Sequence, residues 1–198
     1  MKDKDIILPT GVPGFDKSLG GGLREGLHVV TGPANSGKTT FLKNGPLKEA
    51  QKARLNTIFF CEDRGTPLLA VLQDKGGTVV PILRSGSGIK DIQAEIEIFE
   101  KAWKQKIDVV IADNFHFGGD YLNTASETDA LHGFAMQRGI PVIIAVNKSR
   151  RTPTNLSGLP FPIGCTAQNV IQPLKLIGEH HTVLRVYKSR TGSTGLFE

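Results

Sequence analysis

The run Gly32-Pro33-Ala34-Asn35-Ser36-Gly37-Lys38-Thr39 matches every fixed position of the pattern G-x-x-x-x-G-K-[ST]. An apolar, β-rich stretch at 27–31 leads into it, and a helix-compatible stretch leaves it. That strand–loop–helix order confines the chain to folds in which strands and helices alternate. It also carries chemistry. The glycines let the backbone curl so that successive N–H groups face a β-phosphate, and the helix N-terminus adds partial positive charge. Lys38 is then placed to bridge β- and γ-phosphates, and the Thr39 hydroxyl to bind Mg²⁺. Downstream, Gly45-Pro46 falls inside the expected helix. Pro46 has no N–H to give the Leu42 carbonyl, so a kink or break is expected there.

Further short apolar runs lie at 57–61, 79–83, 109–112, 142–146, 170–177 and 183–187. Between them, 89–104 sets Ile92, Ile96, Phe99 and Trp103 at helical spacing, and Ser126 is a candidate N-cap for a helix over 127–138 that offers Leu131, Phe134 and Ala135 to a core. The alternation predicts an α/β fold, a mainly parallel sheet with helices on both faces. The last two runs are separated by too few residues for a crossover helix, so they are expected to form a C-terminal antiparallel hairpin, connected through 178–181. The chain's 198 residues suit one domain spanning 1–198.

No apolar run approaches the roughly 18–20 residues of a membrane span, and the start has only three consecutive apolar residues where a signal peptide needs about 7–15. A cytoplasmic protein without a membrane partner is the expectation. Cys61 and Cys165 stand far apart without a CxxC or Cys/His cluster and read as buried small hydrophobes. The net charge of +5 mildly favours polyanionic partners.

Phosphate chemistry with Mg²⁺ calls for an acidic residue at the end of a buried strand. Val109-Val110-Ile111-Ala112-Asp113 supplies one in Asp113. A carboxylate that orients water is also needed, and the run 57–61 ends in Glu62-Asp63, of which Glu62 has the longer reach.

The segment Thr10-Gly11-Val12-Pro13-Gly14-Phe15-Asp16, then 19–23, then the phosphate loop, resembles the opening of the RecA-like P-loop ATPases, particularly the RadA and KaiC branch. Further on, Glu62, Asp113 and Lys188-Ser189-Arg190-Thr191-Gly192-Ser193-Thr194-Gly195 resemble the core of DnaB-type replicative helicases. The resemblance implies that Gly32, Pro33, Ala34, Asn35, Ser36, Gly37, Lys38, Thr39 and Thr40 bind ATP, that Thr39 and Asp113 hold Mg²⁺, and that Glu62 is the catalytic carboxylate. Asn147 takes the place of the family's polar γ-phosphate sensor, and Lys188 and Arg190 that of a Lys-x-Arg pair reaching a neighbouring subunit's γ-phosphate. A homo-oligomer, ring or filament, is thereby implied. The family's DNA-binding loops correspond to 115–124 and 148–165, with Lys148, Arg150 and Arg151 as candidate contacts to single-stranded DNA and Phe115 and Phe117 as aromatics that stack on bases or belong to the core.

Taken together, the resemblance implies an oligomeric Mg²⁺-dependent ATP hydrolase that couples ATP to single-stranded DNA binding, as a minimal recombinase or helicase core. A KaiC-like regulatory or scaffold ATPase without DNA binding is the alternative. Asn147-Lys148 at a strand end also brings a GTPase to mind, but position 150 is Arg where guanine recognition requires Asp.

Overall fold

A computed structural model describes residues 5–61, 79–82, 88–117, 121–147, 161–174 and 183–198. The connection 178–181 lies outside them. Among the described residues the chain forms an eight-stranded mixed sheet with helices. Its strands are β1 (Gly26–Gly32), β2 (Thr57–Phe60), β3 (Val79–Ile82), β4 (Val109–Ala112), β5 (Pro141–Asn147), β6 (Asn169–Leu174), β7 (Val183–Ser189) and β8 (Gly195–Phe197). They lie in the order β3-β2-β4-β5-β1-β6-β7-β8. The six strands from β3 to β6 in that order are parallel, whereas β7 runs antiparallel to β6 and β8 to β7.

Buried side chains alternate between the two faces, as a strand's period of two requires. Leu27, Val29, Ile58, Phe60, Val110, Ala112, Val142 and Ile144 join one core. That core is completed by Ile92, Ile96 and Phe99 of α4 (Gly88–Trp103) and by Leu131, Phe134 and Ala135 of α5 (Tyr121–Arg138). Val30, Phe59, Ile111, Ile143, Ala145 and Ile171 face the other way. There they meet α1 (Pro13–Ser18), α2 (Lys38–Leu42) and α3 (Lys48–Lys52) through Phe15, Phe41, Leu42 and Ala50. Strands buried on both faces explain the continuous apolar runs. The helix α6 (Phe161–Thr166) precedes β6.

Four expectations change. Gly45-Pro46 neither breaks nor ends the helix: Lys43–Leu47 forms a π-helical turn that continues into α3 and buries Gly45 and Pro46. An i→i+5 turn shifts the hydrogen-bond frame locally, so a residue without an N–H is accommodated. Ser126 is no N-cap, because α5 starts at Tyr121 and runs through it; this also replaces the end of the loop expected at 115–124. The nearby Thr128 hydroxyl donates within the helix to the Thr124 carbonyl at 2.6 Å. Trp103, the last residue of the helical stripe, is 59% exposed and stacked on Phe99 with ring centroids 5.8 Å apart. Cys61 is buried but Cys165 is exposed, since α6 turns Ile163 inward and leaves Cys165 on its outer side.

The Gly-rich start is packed. Leu8, Val12, Phe15, Leu19 and Leu23 are buried, and Leu8 and Leu23 exchange backbone hydrogen bonds of 2.8 and 2.7 Å. Asp16 ties the segment by accepting from the Thr10 N–H and hydroxyl, both at 2.7 Å, and from the Gly11 N–H at 3.2 Å. Thr10 lies against the π turn so closely that a Cβ on Gly45 would stand 2.2 Å from its carbonyl oxygen. The N-terminal segment and the helical stretch that follows β1 and its loop therefore pack as one unit.

Candidate nucleotide site

The carboxyl ends of β1, β4 and β5 meet at one cleft of about 340 Å³, lined by Ala34, Asn35, Lys38, Thr39, Asp113, Asn114 and Asn147. Open parallel sheets bind ligands outside the carboxyl ends of their strands, because loops there diverge and helices begin. Gly32, the last residue of β1, pairs with Asn147, the last of β5. The loop between β1 and α2 needs two left-handed residues, Asn35 at φ 62° and Gly37 at φ 89°. Asparagine and glycine are the residues that adopt this region most readily.

The Lys38 ammonium donates to the Gly32 carbonyl at 3.1 Å and to the Pro33 carbonyl at 2.8 Å. Burial lowers its pKa, against the opposing pull of the Asp113 carboxylate. The Thr39 hydroxyl donates to Asp113 Oδ2 at 2.6 Å. Burial raises the Asp113 pKa, opposed in turn by the Thr39 hydroxyl, by Lys43 and Lys38, and by the Asn114 N–H. A cation and a carboxylate, each resisting its charge in a partly dry cleft, stand to gain from ligands of complementary charge.

The donor set fits a phosphate chain with Mg²⁺. Hard oxygens from one hydroxyl and one carboxylate are what Mg²⁺ takes from a protein while it keeps several waters. Within the loop, Ser36 Oγ is buried without a hydrogen-bond partner among the described residues and lies against Gly32, where an added Cβ would stand 2.4 Å from it.

Gly32 through Thr40, Asp113 and Asn147 are thus gathered around this cleft or the loop that forms it. Sequence reasoning missed two neighbours. Asn114, at φ 60°, accepts from the Asn147 amide, Nδ2 to Oδ1, at 3.0 Å. An Asn directly after a strand-end Asp was the available signal. Lys43 stands one helical turn beyond Thr39, a spacing that puts both on one helix face.

Other candidates are elsewhere. Glu62, Lys148, Arg150 and Arg151 lie outside the described residues, as does most of 148–165. Phe115 is buried and meets Phe117 edge-on at 4.9 Å, so both belong to the core side. Lys188 pairs with Val170, and Ser189 with Asn169, which itself pairs with His28 on β1. His28 precedes Gly32 by four residues, which at about 3.3 Å per residue separates the two levels of the sheet by about 13 Å. Lys188 and Arg190 both donate to the Cys165 carbonyl, Arg190 at 3.0 Å. They are at the opposite end of the sheet from their own chain's cleft.

No family model matches the chain, and no curated protein matches it. Among the described residues no helix is long and apolar enough to cross a membrane.

Proposed function

We propose that this chain is a RecA-like P-loop ATPase that binds ATP with Mg²⁺ in the cleft at the carboxyl ends of β1, β4 and β5. The observation that carries the reading is the 2.6 Å bond between Thr39 and Asp113, with Lys38 on the same cleft. Lys38 and Thr39 from one stretch of sequence and Asp113 from another, each expected for phosphate and metal chemistry, meet there.

Lys38, held by two loop carbonyls, exchanges those partners for phosphate oxygens and stabilises charge on the terminal phosphoryl group. Thr39 and Asp113 would hold the Mg²⁺ that accompanies the phosphates, their mutual bond giving way to it. Bound Mg²⁺ supplies neutralising charge and orients the phosphates. Asn147, paired with Gly32 and lining the same cleft, is assigned to the terminal phosphate. Glu62 follows Cys61 directly in sequence, and the Cys61 N–H is bonded to the Ile82 carbonyl at 3.0 Å. Glu62 is assigned the water-orienting role on sequence grounds.

Lys188 and Arg190 are assigned to a neighbouring subunit's site. Their separation from their own cleft supports a role between chains, in a homo-oligomer. Single-stranded DNA as partner rests on the resemblance and on Lys148, Arg150 and Arg151.

Hydrolysis of ATP and of GTP, with and without single-stranded DNA, tests the reading in the wild type, Lys38→Ala and Arg190→Ala. ATP preference, stimulation by DNA and loss of activity in both variants are expected. Absence of DNA binding at low salt with ATPase activity intact would favour the nucleotide-gated regulator instead. Full activity in Arg190→Ala would remove the role between subunits.

A further inference from the structure

We propose that Asn114 is a positioning residue that sets the Asn147 amide for the terminal phosphate of a nucleoside triphosphate, an inference that rests on the nucleotide reading above. Asn114 belongs to no part of the phosphate-loop pattern, yet it is the joint between two sides of the cleft. The backbone on either side of it is pinned to different strands. Asp113 donates its N–H to the Phe60 carbonyl of β2 at 2.9 Å, and Phe115 donates its own to the Ala145 carbonyl of β5 at 2.7 Å. β2 and β5 flank β4 on opposite sides. The chain must therefore cross over the end of β4 within one residue, and Asn114 does so in the left-handed region, at φ 60°.

That crossing has two results. The Asn114 N–H is directed to the Asp113 carboxyl group. The Asn114 side-chain carbonyl accepts from Asn147 Nδ2 at 3.0 Å, and both side chains line the same cleft as Lys38 and Thr39. Thr39, Asp113, Asn114 and Asn147 form one hydrogen-bonded arc. Asn147 is exposed at the last position of β5, so its amide would otherwise swing between rotamers. Bonded to Asn114, it is held in one orientation before the ligand arrives. Fixing a polar group in advance removes its ordering cost from the binding step.

Because the arc ends on Asn147, its loss should affect the triphosphate and spare the diphosphate, which lacks the terminal group. The test measures binding of ADP and of a non-hydrolysable ATP analogue, each with Mg²⁺, to the full chain and to Asn114→Gly, Asn147→Ala and the double variant. Glycine keeps the left-handed backbone and the N–H while removing the amide. Asn114→Gly is expected to weaken the triphosphate analogue by about tenfold, the effect of a lost hydrogen bond to a charged group, with ADP affinity within about twofold. Asn147→Ala should match it, and the double variant should lose no more than Asn147→Ala alone, as two members of one unit do.

Equal losses for ADP and the triphosphate analogue in Asn114→Gly would overturn the proposal, since Asn114 would then only support the cleft. Independent, multiplying losses would overturn it as well. Asn147→Ala leaves the Asn114 backbone untouched, so unchanged discrimination in that variant refutes the proposal even if Asn114→Gly fails to fold. A wild type that binds neither nucleotide refutes the nucleotide reading itself, and the proposal with it; a wild type that discriminates beside variants that still do refutes the proposal alone.

Discussion

The two ends of the parallel sheet use polar residues in opposite ways. At the carboxyl end, among the described residues, Lys38 bonds to carbonyls of its own loop and Thr39 to Asp113, on the side of an open cleft. At the other end, His28 is fully buried, donating from Nε2 to the Arg24 carbonyl at 2.8 Å and accepting at Nδ1 from the Asn169 amide at 3.0 Å. A carbonyl can only accept, so the Arg24 bond fixes the neutral tautomer and the Asn169 bond completes it. Lys188 and Arg190, near that end, hold the carbonyl of Cys165. Burial alone does not mark a functional group. Lys38 and Thr39 face an open cleft, whereas His28 and Asn169 meet in a closed interior.

Lys38→Ala breaks the comparison most severely. It should reduce ATP turnover by at least about a hundredfold, the usual consequence of deleting a donor that stabilises developing charge. Its melting temperature should remain near that of the wild type, because the lost bonds join atoms of one loop. A large drop in thermal stability would mean that the carboxyl end is structural after all.

At the other end the expected signature is in pH. Burial lowers the His28 pKa from 6.5 to about 4. The folded state thus binds the proton less tightly than the unfolded one, so the stabilisation is complete above pH 6.5 and is lost as pH falls toward 4. The loss amounts to about 3 kcal/mol, at about 1.4 kcal/mol per pH unit. Denaturant titrations at several pH values should show this slope, and His28→Gln, which does not titrate, should flatten it by about one proton.

Gly45→Ala addresses the region that supports the loop from behind. The new Cβ would meet the Thr10 carbonyl, so unfolding measurements should give a destabilisation of about 1–3 kcal/mol, typical of overpacking. The smallest effect belongs to the outer face of α4. Ile98 is 63% exposed, and Ile98→Ser should change stability by no more than about 0.5 kcal/mol.

Much of this was legible in the chain. Strands buried on both faces leave continuous apolar runs, which is why β1, β2, β4, β5 and β6 are legible in sequence, while β3 and β7 show as short β-branched runs; the G-x-x-x-x-G-K-T pattern and Asp113 stand out at strand ends. β8 is not legible, because three residues, Gly195–Phe197, are too few to display alternation. The sequence pointed to a kink or break at Gly45-Pro46, and the helix continues through a π turn instead of breaking, since proline's missing N–H is visible in sequence while the alternative hydrogen-bond frame is not. Asn114 went unnoticed because its role depends on Asn147, 33 residues away, and His28 because Asn169, its second partner, is 141 residues away. Residue types signal local chemistry; pairings across the sheet require the fold.

Calorimetric titration of the wild type and Lys38→Ala with ATP, in Mg²⁺ and then in excess chelator, tests the central claim most directly. The account predicts saturable Mg²⁺-dependent binding by the wild type and its loss in Lys38→Ala. Equal binding by both proteins, or none by the wild type, would contradict it.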